Sequence, residues 1–202
     1  MKINNINIIV ANGEFISSEA YQVILCELKD AIKSVVWASP DKFVINPTKK
    51  GNGVVPIKNN FIKFLQSKGW LVEEKMSCVD GVNPGPIDAI KKTPNGIFAV
   101  EWETGNISSS HRALNKIALG VLEKQLIGGV LILPIRHLAQ YLTDRIGNYE
   151  EIAPYFKLYS NVNIVEGMLG TIGIDFDETS IDAPLIPKGQ DGNAHKVLTN
   201  VR

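Results

Sequence analysis

Apolar residues recur along the chain at two spacings, which predict helices and strands in turn. The first helix is predicted in SSEAYQVILCELKDAIKSVVW, where a serine can cap the first turn. A second is predicted in NGVVPIKNNFIKFLQSKGW, ended by Gly69, and a third in SSSHRALNKIALGVLEKQ. The continuous apolar run GGVLILPI predicts a strand buried on both faces, as in parallel pairing.

The remaining pattern completes an α/β chain with a mixed central sheet flanked by helices. Short helices are predicted in HLAQYLTDR and EEIAPYFKLY, and a last strand near LGTIGIDFD. A further short strand, WLVEE, carries Glu73. The helix between the strands ending in EWE and beginning at GGV makes a βαβ unit.

One segment, PIDAIKKTPNGIFAVEWE, predicts two antiparallel strands around the turn TPNG. If Thr93 faces Gly96, the register places Asp88 across from Glu101, with Cβ atoms roughly 4.5–5.5 Å apart. Glu103 lies two positions further along and points to the same face, roughly 6.5 Å away. The sequence therefore predicts that three carboxylates converge.

Length and composition predict one domain, residues 1–202, of a soluble globular protein. The chain has 202 residues, 45% of them hydrophobic and 21% charged. Its zero net charge gives no general indication of a nucleic-acid partner. No apolar run has the length of a membrane span and no secretory cleavage region is apparent, so we expect no membrane association. Cys26 and Cys78 lack metal-binding spacing and are expected to be reduced in a cytoplasmic protein.

Three clustered carboxylates need either water or a cation, because like charges repel and burial penalises the ionised form. An isolated Glu-x-Glu is usually a solvated strand face. Asp88 in register with Glu101 favours instead a hard divalent ion held by oxygen ligands, most simply Mg²⁺. Glu73 could supply a fourth carboxylate, and no histidine or cysteine lies nearby in the sequence to indicate zinc.

An Asp on one strand and a Glu on the next, followed two positions later by another site residue, is the metal pattern of restriction-endonuclease-like (PD-(D/E)xK) nucleases. Glu103 stands where most of them carry lysine. The chain resembles the BamHI-type type II restriction endonucleases more closely than by this pattern alone. The resemblance rests on segments that follow in the same order, namely NGVVPIK (52–58), GPID (85–88), EWETGNISSSHR (101–112), YLTDR (141–145), PYF (154–156) and PLIPKGQDG (184–192).

The resemblance implies a site residue by residue. Asp88 corresponds to a metal-bridging aspartate and Glu101 to a second metal ligand. Glu103 corresponds to the glutamate that orients or deprotonates the attacking water, and Glu73 to a supporting acid. Trp102 stands where a backbone carbonyl binds metal, and two Mg²⁺ ions per site are implied.

The resemblance also implies recognition of double-stranded GGATCC, cleavage after the first G, and 5′ GATC overhangs. The DNA-contacting residues that it implies are Lys58, Asn106, Ser108, Arg112, Asp144, Arg145, Gly189 and Asp191. Arginine can donate two bonds to guanine and aspartate can accept one from cytosine, so Asp144 and Arg145 could read one G·C pair. On the residues alone, a helix-end ion pair is the favoured interpretation of Asp144 and Arg145.

A C-terminal DNA-contacting arm, residues 184–202, follows from the same resemblance, although Asn193 and the short tail depart from the family pattern. A palindromic site implies a symmetric homodimer. In the family, basic residues on one subunit pair with acidic residues on the other. Here these charges are exchanged, so we expect Glu123 near Lys157 of the partner subunit.

Three other interpretations remain open from the residues. A repair or junction nuclease of the same fold would share the acids but not the base-reading residues. A DNA-binding protein that does not cut is disfavoured, because clustered acids would weaken its binding. A glycosidase could use paired carboxylates, but the usual aromatic sugar platform is missing.

Overall fold

A mixed sheet forms the centre of the computed structural model, which describes residues 1–77 and 83–188. Within these residues the sheet has six strands in the order β1-β7-β6-β5-β4-β3. Their bounds are β1 Lys2–Asn12, β3 Leu71–Lys75, β4 Pro86–Thr93, β5 Gly96–Trp102, β6 Gly128–Pro134 and β7 Gly167–Asp175. A separate parallel pair joins β2, Val44–Ile45, to β8, Glu178–Thr179.

The middle of the sheet is parallel and its two sides are antiparallel. Strand β6 pairs in parallel with β5 and with β7, which confirms the βαβ unit predicted around the third helix. Every residue of β6 and β7 is buried, as expected for strands covered on both faces. The predicted α/β class with a mixed, helix-flanked sheet is therefore confirmed.

Three longer helices cover the two faces. They are α1 (Glu19–Lys33), α2 (Val55–Ser67) and α3 (Ile107–Leu122), and Ser18 caps α1 by accepting a hydrogen bond from Tyr21 N–H. Helices α1 and α2 pack on one face, in a core that includes Leu28 and Phe61. Helix α3 packs on the other face through residues such as Leu114. Two separate apolar cores hold the sheet in place between the helices.

The two predicted short helices are only partly right. HLAQYLTDR forms the single turn α4, Arg136–Ala139, and then leaves the helical path. The segment EEIAPYFKLY is divided into α5 (Tyr149–Ile152), a 3₁₀ turn (Ala153–Tyr155) and α6 (Phe156–Tyr159). Pro154 lies in that 3₁₀ turn, where its missing N–H prevents a continuous α-helix.

Strand β1 was not predicted, and it is the longest strand. It mixes isoleucines and asparagines without a regular period, and its residues are mostly half-buried or exposed. It pairs only on one side, with β7, so it lacks the apolar run that identified β6. None of the helices in the described ranges is long and apolar enough to cross a bilayer.

Some predicted features lie outside the described residues. These are Cys78, Gly189, Asp191 and Asn193, together with most of the arm proposed at 184–202.

Candidate active site

The β4–β5 hairpin has the predicted register, with Thr93 opposite Gly96 and Ala89 opposite Val100. Continuing that register by one residue brings Asp88 beside Glu101. Asp88 is 9% exposed, and its Oδ2 accepts a hydrogen bond of 2.8 Å from the Trp102 backbone N–H. The predicted register is confirmed, and the Trp102 hydrogen bond ties the Asp88 side chain to the end of β5.

Two lysines neutralise the buried acids. Lys58 Nζ, from α2, lies 2.6 Å from Asp88 Oδ1. Lys116 Nζ, from α3, lies 2.5 Å from Glu101 Oε1 and also donates to the Pro86 carbonyl. The Lys116 side chain is only 10% exposed. Two helices on opposite faces of the sheet thus each extend one ammonium group to the end of the hairpin.

Glu101 is the most perturbed group of the cluster. Burial raises its pKa to about 7, repulsion from Asp88 acts in the same direction, and Lys116 and Lys58 partly oppose the change. Its carboxyl group is therefore held where the ionised form lacks full solvation. An additional cation would lower the free-energy cost of ionising this buried carboxyl group.

Glu103 lies just beyond the end of β5, where its N–H still bonds to the Ile132 carbonyl at 2.8 Å. Its Oε1 accepts a hydrogen bond of 2.6 Å from Gly105 N–H. Burial raises the Glu103 pKa, and Asp88 raises it further, against the Gly105 bond and the charges of Lys58 and Arg112. Glu103 is therefore within electrostatic reach of Asp88, although the strand has already ended.

In their present positions, the described side chains do not form a complete set of metal ligands. Across residues 1–77 and 83–188, no three His, Cys, Asp or Glu side chains are close enough together to hold a metal ion. The donor chemistry nevertheless fits a hard cation, because Asp88, Glu101 and Glu103 all offer carboxylate oxygens. The ammonium groups of Lys58 and Lys116 provide positive charge at the acids that a metal ion would contact.

Lys116 was missed in the sequence. A single lysine on a helix is usually a solvated residue, and nothing in its spacing distinguishes it from other lysines. Its position one turn after Arg112 on α3 was the only available indication, since the helix begins immediately after the site.

Glu73 and Trp102 flank the acids. Val72 pairs with Ala89 and Glu74 with Ile87, so Glu73 lies across from Asp88. Glu73 is exposed and has φ +54°, a backbone conformation that is uncommon for a residue other than glycine. Trp102 is buried, with its ring centroid 4.6 Å from that of Phe61, which fixes the strand end against α2.

Three predicted DNA-contacting residues lie together at the start of α3. Asn106 caps the helix, its Oδ1 accepting a 3.1 Å bond from Ser109 N–H. Ser108 and Arg112 are exposed and one helical turn apart, so they share a face. Arg112 also reaches Glu103 electrostatically, which joins this exposed face to the acids.

Asp144 and Arg145 lie in the loop after α4, not at the end of a longer helix. Lys50 Nζ is 2.7 Å from Asp144 Oδ1, and this contact lowers the Asp144 pKa. Arg145 has φ +62°, again an uncommon conformation that local contacts must stabilise. Both side chains are exposed, so this loop presents one acid and one arginine to solvent.

A mixed sheet with buried acids at the end of an antiparallel hairpin, beside exposed polar residues on the next helix, defines a restriction-endonuclease-like nuclease. The chain matches the restriction endonuclease BamHI family over residues 1–193 and belongs to that family. The match includes residues 1–51, which precede the segments on which the resemblance rests.

Two curated relatives match almost end to end. The type II restriction enzyme OkrAI of Oceanobacter kriegii is 48% identical, covering 96% of this chain and 99% of its own. The type II restriction enzyme BamHI of Bacillus amyloliquefaciens is 36% identical, covering 92% and 93% respectively. This chain is therefore a type II restriction endonuclease of the BamHI family, and it binds DNA as its substrate.

The restriction endonuclease BglII supplies the fold comparison. Its complex with a DNA 16-mer aligns over 88% of this chain and 79% of that chain, with a TM-score of 0.60 and 12% identity. Free BglII aligns over 88% and 81%, with a TM-score of 0.50. The sequence predictions of family, fold class and enzyme class are confirmed, and enzymes of this class generally use divalent metal ions.

Proposed function

We propose that this enzyme recognises double-stranded GGATCC and hydrolyses the phosphodiester after the first G, leaving 5′ GATC overhangs. The observation that best supports the proposal is that one segment, EWETGNISSSHR, contains both the acids of the site and the polar residues expected to contact DNA. Its acids lie at the end of β5, and its exposed polar residues lie on the first turns of α3. The similarity to OkrAI and BamHI over nearly the whole chain supports the same conclusion.

We assign metal binding to Asp88, Glu101 and the Trp102 carbonyl, with Glu73 in support, and expect two Mg²⁺ ions per site. Bound Mg²⁺ would supply Lewis-acid stabilisation of the phosphate and a water of lowered pKa. Glu103 would orient the attacking water and accept its proton, and burial raises the pKa of Glu103, which makes it a stronger base. Lys58 holds the Asp88 carboxylate in position on the α2 side.

We assign base reading to two exposed elements. Arg145 can donate two hydrogen bonds to a guanine, and Asp144 can accept one from the paired cytosine. Asn106, Ser108 and Arg112 offer a second set of polar groups on α3. The strained Arg145 backbone supports this role, since uncommon conformations cluster at binding sites.

A homodimer is proposed because one site per subunit would cut one strand of a palindrome. Apolar side chains are exposed beside the expected contact, with Leu122 44% and Leu158 68% exposed. Tyr155 is also exposed and packs edge-on against His111, with ring centroids 4.6 Å apart. Exposed apolar patches of this kind mark protein interfaces, and Glu123 and Lys157 lie nearby in sequence.

The test is digestion of a duplex containing one GGATCC site, compared with duplexes in which one base pair is changed. Cleavage after the first G in Mg²⁺, and none in EDTA, is expected. The Asp88→Ala protein should bind the site without cutting it, whereas wild-type cutting by that variant would contradict the assigned site. Cleavage of branched or damaged DNA irrespective of sequence would instead favour a repair or junction nuclease.

A further inference from the structure

We infer that Asn52 is a positioning residue for sequence discrimination, because its buried amide links the loop bearing Asp144 and Arg145 to the segment 184–188. The inference rests on the proposed function, which makes that loop a base-reading element. Asn52 is fully buried, at 0% exposure, and lies three residues before α2. It is distant in sequence from both segments that it joins.

The Asn52 side chain makes hydrogen bonds to three separate segments. Its Nδ2 donates to the Asn46 carbonyl and to the Tyr141 carbonyl, both at 2.9 Å. Its Oδ1 accepts a hydrogen bond of 3.2 Å from Ile186 N–H. One side chain therefore uses two donors and one acceptor, which an amide offers and a carboxylate does not.

Backbone contacts reinforce both sides of this link. On the loop side, Asn52 N–H bonds to the Tyr141 carbonyl at 3.0 Å, and Lys50 N–H bonds to the Gln140 carbonyl at 2.9 Å. On the other side, Gly53 N–H bonds to the Ile186 carbonyl at 2.7 Å. The approach at Gly53 is so close that an added Cβ would lie 1.9 Å from the Pro187 carbonyl oxygen.

The link also reaches the acidic cluster. Lys50, two residues before Asn52, forms the ion pair with Asp144. Lys58, six residues after it, forms the ion pair with Asp88. A displacement of Asn52 would therefore move the Asp144 loop relative to the site of hydrolysis. Arg145 can bind a guanine accurately only if the Asp144 loop keeps its distance from the acids of the site.

The test compares wild type with Asn52→Asp, which keeps the shape but turns a carboxylate oxygen toward two carbonyl groups. Binding is measured in EDTA on a duplex with one GGATCC and on duplexes with one changed base pair. In Asn52→Asp, the affinity for GGATCC divided by the affinity for a changed site should be about tenfold or more below the wild-type ratio. A fall of this size corresponds to the loss of one good base contact. Affinity for unrelated DNA, set by phosphate contacts, should change less than about twofold.

Two further variants separate positioning from loss of stability. Gly53→Ala leaves the Asn52 amide intact but forces Pro187 away, so it should reduce the same ratio even if Asn52→Asp does not fold. Ser18→Ala removes the cap of α1 near the opposite, TPNG end of the hairpin. It should lower the melting temperature and leave the ratio unchanged.

The outcomes distinguish the two proposals. Unchanged discrimination in a folded Asn52→Asp protein, or in Gly53→Ala if the first does not fold, overturns the inference about Asn52 alone. A wild-type protein that binds GGATCC and its variants equally refutes the proposed specificity, and the inference with it.

Discussion

Replacing Glu101 by glutamine should make the metal-free protein more stable at about pH 8 while changing little at about pH 5. Glutamine resembles the protonated carboxyl group and does not titrate. The Glu101 pKa lies at about 7 instead of 4.5 because burial and Asp88 disfavour its ionised form. The folded state therefore holds this proton more tightly than the unfolded state, and the associated stability is lost as pH rises from about 4.5 through 7.

The magnitude follows from the same two values. Above pH 7, ionising Glu101 in the folded protein costs about 3 kcal/mol relative to the unfolded chain. About a quarter of that cost is already present at pH 5. The difference in the free energy of unfolding between wild type and Glu101→Gln should therefore grow by about 2 to 3 kcal/mol from about pH 5 to about pH 8. The attraction of Lys116 and Lys58 is included in this net cost.

Urea unfolding in EDTA at both pH values measures the effect, since other titrating groups are common to the two proteins. Glu14→Gln, which removes one exposed carboxylate instead, is the matched control and should show a much smaller pH-dependent difference. Added Mg²⁺ should stabilise wild type at about pH 8 more than Glu101→Gln. If the free energies of unfolding of wild type and Glu101→Gln differ by the same amount at both pH values, burial does not raise the Glu101 pKa as inferred.

Two further predictions concern DNA and the dimer. Arg145→Ala should lose roughly 1–3 kcal/mol of discrimination at one G·C pair, measured as binding to GGATCC against single-base variants. Equal weakening on every sequence would make Arg145 a backbone contact instead. Glu123→Lys should weaken the dimer by at most about 1 kcal/mol, and the double variant with Lys157→Glu should restore it, measured by sedimentation. No recovery in the double variant would place the two residues apart.

The catalytic hairpin could be predicted because its signals are local. TPNG determines the turn, the turn determines the register, and the register brings Asp88 to Glu101. The apolar run of β6 likewise identified a strand covered on both faces. Such features depend on neighbours in sequence, or on burial that leaves an unbroken apolar pattern.

Features that depend on distant contacts were not predictable in this way. Strand β1 has no regular apolar pattern, and its pairing with β7 joins residues more than 150 positions apart. Lys116 has only a weak local signal, its position one turn after Arg112, since the packing of α3 brings its ammonium group to Glu101. Asn52 begins the segment in which the second helix was predicted. Nothing there indicates its three side-chain hydrogen bonds, which form because residues 46, 141 and 186 lie beside it in the fold.

The arrangement of charge explains how Asp88 and Glu101 can be buried side by side, with Glu103 nearby, before any metal binds. Asp88, Glu101 and Glu103 lie within reach of three cationic side chains, those of Lys58, Lys116 and Arg112. Without these cations, burial would drive Glu101 and Glu103 further toward protonation, and protonated carboxyl groups are poor ligands for a hard ion. The compensation is incomplete at Glu101, whose pKa remains at about 7. That residual penalty favours a further cation, so the same burial that destabilises the metal-free fold strengthens the attraction of the site for a divalent ion.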